Sequence, residues 1–80
     1  MRIKDILWNG NTAYADRRAT IEEIEDVLSD PKSSFRRNLP GWVASHLAKG
    51  RTAAGRPLTV AFIYRSTDQS ATPINAWEDR

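Results

Sequence analysis

Residues 58–65, Leu-Thr-Val-Ala-Phe-Ile-Tyr-Arg, alternate along their whole length. A period of two puts Leu58, Val60, Phe62 and Tyr64 on one face of a strand. Thr59, Ala61, Ile63 and Arg65 take the other face. Both faces are largely apolar, which predicts a central strand covered on both sides. A central strand obliges the rest of the chain to supply flanking strands and a covering layer. The chain has 80 residues. That length makes residues 1–80 a single domain with a limited core, for which a partner or self-association would be stabilising.

The neighbours are legible in turn. Trp42 to Lys49 alternates, with Trp42, Ala44, His46 and Ala48 on one face, and predicts a second strand. Ser33 to Arg37 predicts a short strand before the Asn38-Leu39-Pro40-Gly41 turn. Ala71 to Trp77 predicts a last strand, restricted by Pro73 to an edge or a bulge. Residues 2–8 read as a strand ending at Asn9-Gly10. The covering layer is expected from two helices. One starts at Asn11 or Thr12 and runs to about Arg18. The other spans residues 20–30, opened by the capping box Thr20-Ile21-Glu22-Glu23 and closed by Asp30-Pro31. Ile21, Ile24, Val27 and Leu28 form its apolar stripe. The expected fold class is therefore α+β, a small antiparallel sheet of about four strands with N-terminal helices packed on one face. Trp8 and Trp42 read as core residues.

Charge is divided along the chain. From Pro31 to Thr67 there are seven Lys or Arg residues and no Asp or Glu, while seven of the ten acids precede residue 31. A basic half joined to an acidic half points to a polyanionic partner, with RNA the natural candidate. There are no cysteines and one histidine, His46. A disulfide framework, a thiolate zinc site, a cysteine nucleophile and a multi-histidine metal site are excluded, and no cofactor is expected. No apolar run approaches the ~20 residues that span a bilayer, and Arg2, Lys4 and Asp5 break any signal-peptide pattern. The expectation is a cytoplasmic protein with no membrane contact.

Several segments taken together resemble a known family. Trp8-Asn9 is followed by Ala19-Thr20-Ile21-Glu22-Glu23-Ile24 and Val27-Leu28-Ser29-Asp30-Pro31. Gly50-Arg51-Thr52-Ala53-Ala54-Gly55-Arg56-Pro57-Leu58-Thr59-Val60 comes next, then Ile74-Asn75-Ala76. In that order and spacing the chain is similar to the BrnT-like toxins of bacterial type II toxin–antitoxin systems, over nearly its whole length. The resemblance implies a fold like that of the RelE-type ribonucleases. It also implies RNA cleavage that arrests growth, and a cognate antitoxin with a ribbon-helix-helix domain. A homodimer or a toxin–antitoxin heterotetramer would follow. The chain departs from the family in two places. Asp16, Arg17 and Arg18 stand where Lys or Arg, His and Gly are usual, and Trp77 replaces the Arg that tends to follow the last strand's small residue.

RNA can be cut without a metal. A base takes the 2′-OH proton, a cation steadies the charge on the phosphate, and an acid protonates the leaving oxygen. His46 is the side chain suited to proton transfer near neutral pH. Arg51 and Arg65 are the expected catalytic cations, converging with Arg56 at one end of the sheet. Arg17, Arg36, Arg37, Lys49 and Arg56 are candidate RNA contacts, and Trp77 a candidate partner contact on an exposed edge. Each has a plainer reading: His46 as a packing residue, Arg51 and Arg56 as loop solvation, Arg17 and Arg18 as a helix cap, and Arg36-Arg37 as a solvated turn. The alternative function is a non-catalytic relative of the fold that binds a protein or a nucleic acid.

Overall fold

Backbone pairing in the computed structural model, which describes residues 1–8 and 19–79, runs through five strands in one sheet. The elements are β1 (Asp5–Ile6), α1 (Ile21–Ser29), β2 (Ser34–Arg37), β3 (His46–Arg51), β4 (Pro57–Arg65) and β5 (Ser70–Glu78). The order across the sheet is β1-β5-β4-β3-β2. β4 lies between β3 and β5, as the two-faced apolar pattern of residues 58–65 requires. The β2–β3, β3–β4 and β4–β5 pairs are antiparallel, whereas β1 runs parallel to β5.

The fold-class expectation is corrected on three points. The sheet is mixed, it has five strands, and the described residues contain one short helix, so the molecule is mostly β. Among the described residues the layer over the sheet is the single nine-residue helix α1. The opening segment, expected as a strand over residues 2–8, forms the short edge strand β1. Lys4 N–H donates to Gln69 O and Leu7 N–H to Ala71 O, each at 2.8 Å. Ile6 thereby sits opposite Ala71 and packs against the core. The helix expected from Asn11 or Thr12 to Arg18 lies outside the described residues.

The α1 helix begins as its sequence predicts. Thr20 Oγ1 accepts from Glu23 N–H at 3.1 Å, and Glu23 Oε1 accepts from Thr20 N–H at 3.0 Å. Its buried stripe is Ile24, Val27 and Leu28; Ile21, expected on that stripe, is exposed. The stripe packs on β3 and β4, where Ala48, Leu58, Val60 and Phe62 complete the core with Ala71 and Ala76. The approach is close at one point. A Cβ on Gly50 would lie 2.1 Å from Ser33 Oγ, which itself donates to Val27 O at 2.6 Å. Glycine at position 50 is what lets the turn after α1 touch β3.

One strand expectation shifts and another is met. The alternation from Trp42 does not become a strand until His46. Asn38 N–H donates to Ser45 O, and the Asn38 amide donates to Ala44 O while accepting from Leu39 N–H. These bonds close the β2–β3 connection at Asn38 and Ser45 and leave residues 39–44 as a loop, with Gly41 at φ +94°. Trp42, expected in the core, is 69% exposed as a result. Trp8 does pack against the core, half-buried. Pro73, expected at an edge or a bulge, sits beside a bulge in the part of β5 that β1, paired only with Ser70 and Ala71, does not reach. Ala61 pairs with Asn75 and Phe62 with Pro73, so Ile74 is a bulge. A proline cannot donate to a ladder, and a bulge removes that demand.

Candidate functional site

Cross-strand register decides which side chains meet. On the helix-covered face one row reads Arg37, His46, Phe62 and Pro73 across β2, β3, β4 and β5. The His46 ring stacks on Phe62 with centroids 5.8 Å apart and meets Tyr64 edge-on at 5.5 Å. Ser45 Oγ lies 2.8 Å from His46 Nδ1 and accepts from Tyr64 N–H at 2.9 Å. The Tyr64 hydroxyl donates to Arg2 O at 2.9 Å. Its proton is thus occupied by a backbone carbonyl. Partial burial lowers the His46 pKa below its ordinary 6.5, and the nearby positive charge of Arg37 lowers it further. Near neutral pH the imidazole is uncharged and held in place by three neighbours.

The expected convergence of Arg51, Arg56 and Arg65 is overturned by strand length. Arg51 pairs with Pro57 at one end of the sheet, whereas Arg65 closes the other end of the nine-residue β4. At ~3.3 Å per residue the two ends lie roughly 25 Å apart. His46 and Arg51 likewise stand at opposite ends of β3. Arg51 donates to Gly55 O at 2.9 Å and so serves its own turn. Arg56 is held by two carboxylates, Glu23 and Glu78. Arg65 is exposed, 3.9 Å from Asp68. Arg17 lies outside the described residues.

The opposite face of the sheet carries a different set. One row there is Arg36, Leu47, Ala61 and Asn75; the next is Ser34, Lys49, Thr59 and Trp77. The β2–β3 loop comes up beside this face. Leu39, Trp42 and Val43 from the loop, with Leu47, Ile74 and Trp77 from the strands, line an apolar groove of about 540 Å³. Leu39 and Val43 are 72% and 73% exposed. Trp77, expected at a partner contact on an exposed edge, is half-buried in the groove wall, in the part of β5 that among the described residues pairs only with β4.

Sequence reading missed two things here. It weighed Arg37 as a diffuse RNA contact, because only the register across the loop makes it the neighbour of His46. It also read Trp42 as core, although Leu39-Pro40-Gly41-Trp42-Val43, apolar residues around a Pro-Gly turn, was a usable sign of an apolar loop. Among the described residues no group of three or more His, Asp or Glu side chains is placed to hold a metal, and no helix is long and apolar enough to cross a membrane. No family model, curated protein or solved structure matches the chain.

Proposed function

We propose that this chain acts on RNA as a toxin-type endoribonuclease, with His46 and Arg37 as its working groups. The observation that carries this reading is the pairing of an uncharged imidazole with a guanidinium on adjacent strands. In the tautomer with its proton on Nδ1, directed at Ser45, His46 keeps the Nε2 lone pair for the 2′-OH proton. The 2′-oxygen then attacks phosphorus, the bond to the 5′-oxygen breaks, and the imidazolium returns its proton to that leaving oxygen. Arg37 steadies the charge that builds on the phosphate, a task suited to its planar fork of donors. Arg37 forms no ion pair among the described residues, so its guanidinium is not spent on a carboxylate. The resemblance to BrnT-like toxins supports the wider assignment: growth arrest, and a cognate ribbon-helix-helix antitoxin as the restraint.

A second reading, a binding module without catalysis, is favoured by one observation. The cations Arg51 and Arg65, expected to assist His46, stand far apart along the strands. Induced expression in a bacterial host, following growth and total RNA, separates the two. The proposal expects arrest with RNA loss, abolished by His46→Ala, weakened by Arg37→Ala and kept by Arg51→Ala. Cleavage that survives His46→Ala would remove the proton-transfer role. Normal growth with intact RNA at confirmed soluble expression would favour the binding module.

A further inference from the structure

We infer that the groove on the helix-free face of the sheet is a docking surface for a segment of another protein. The segment would be amphipathic, with an apolar stripe flanked by acidic residues. The apolar half of the argument comes from exposure. Leu39, Trp42 and Val43 are each about two-thirds or more exposed beside a floor of Leu47, Ala61 and Ile74. Contiguous apolar surface of this kind marks an interaction site more often than chance decoration. The groove offers little hydrogen bonding to an occupant. The Asn38 amide is spent on Leu39 and Ala44, and Asn75 Oδ1 accepts from Ala76 N–H. Its occupant is therefore held by apolar contact.

Charge selects the occupant. Arg36 continues the groove-floor row Leu47, Ala61, Asn75 at its outer end, and Lys49 stands in the row that ends at Trp77. Neither makes an ion pair with a described residue. Asp79 accepts from Thr59 Oγ1 at 2.8 and 2.7 Å, which places this acid at β4, one strand across from Lys49 and away from Arg36 on β2. Acids on the incoming segment would meet Arg36 and Lys49 on the β2–β3 side. A second copy is disfavoured, because pairing this face with itself would bring two more cations, Arg36 and Lys49, into one interface. A nucleic acid could stack on Trp42 and Trp77, but it brings no apolar stripe to cover the exposed Leu39 and Val43. The inference does not depend on the ribonuclease reading, since His46 belongs to the other face.

The test uses the full chain and two synthetic helical peptides with the same leucine stripe, one flanked by Glu and one by Lys. Binding is read by fluorescence anisotropy, with oligo-uridine as a third probe and sedimentation of the protein alone. The Glu peptide is expected to bind about tenfold tighter than the Lys peptide. Val43→Asp, at an exposed loop position that leaves the core intact, is expected to lose about tenfold of that binding. Lys49→Glu is expected to erase the preference between peptides. Equal binding of both peptides would overturn the inference. So would oligo-uridine binding that Val43→Asp abolishes, or a dimer that Val43→Asp dissociates. Growth arrest under induced expression of Val43→Asp reads the ribonuclease site separately, so either proposal can fail without the other.

Discussion

Arg56 reaches Glu23 with one nitrogen on both carboxylate oxygens, Nη1 lying 2.9 and 3.0 Å from Oε1 and Oε2. Its Nε donates to Glu78 on β5. One guanidinium therefore joins the first turn of α1, the start of β4 and the end of the sheet. Backbone donation from Thr20, then the Arg56 contact, hold the Glu23 carboxyl below the usual carboxylate range. Arg56, weighed from the sequence as an RNA contact, is thus engaged by two acids in the fold. The sequence places those acids 33 and 22 residues away from Arg56, so nothing local announces the clamp.

Replacing Arg56 should loosen the docking of α1. Arg56→Ala is expected to lower the melting temperature, and Arg56→Lys to lower it less. An ammonium keeps the charge but cannot present the planar fork to two carboxylates at once. The deficit should shrink in high salt, because the groups are partly exposed. Thermal melts of the three proteins at two ionic strengths check this. Identical melting points would reduce the clamp to an idle surface pair.

Gly50→Ala tests the tightest contact between helix and sheet. The new methyl would have to displace Ser33 Oγ, which is buried and bonded to Val27 O. Overpacking of this kind costs about 1–3 kcal/mol. A Ser33→Gly background removes both Ser33 atoms that crowd the position, the hydroxyl at 2.1 Å and Cβ at 3.1 Å. Gly50→Ala should then cost less than it does alone, a coupling that urea denaturation of the four-member cycle would measure. Additive costs would mean that the methyl collides with something else.

These two contacts mark the limit of what the sequence makes legible. The capping box at Thr20 and Glu23, the stripe Ile24, Val27 and Leu28, and the central strand with Val60 and Phe62 are local or periodic, and each formed where it was read. The opening strand is legible too, but its parallel pairing with β5 and the exposure of Trp42 depend on which distant segment completes a ladder. Residues 42–45 alternate as well as residues 46–49 do, and the bonds of Asn38, side chain to Ala44 and backbone to Ser45, leave them outside the strand up to His46. The site follows the same division. His46 stands out in the sequence as the lone histidine. Arg37 as its neighbour is set by the register across that loop, and the separation of Arg51 from Arg65 by the length of β4.

His46 should make stability depend on pH in a window of its own. Burial, with Arg37 adding to it, puts its folded pKa below 6.5. Just below pH 6.5 the unfolded chain binds a proton on this ring more readily than the folded one. Stability from His46 is then fully present above that pH and is lost as pH falls through the folded value. The carboxylates held low, Glu23 and Asp68, have ordinary values of 4.5 and 3.8, so their contributions are lost only at more acidic pH. The urea midpoint should therefore begin to fall just below pH 6.5, and His46→Gln should remove that first decline while keeping the second. The same proton bears on function. Protonation removes the lone pair that the proposed 2′-OH chemistry requires, so the proposal expects RNA cleavage to decline over the window in which the native protein first loses stability. If the midpoint of His46→Gln falls as the native one does, another group titrates there, and the imidazole is not the buried neutral base that both arguments require.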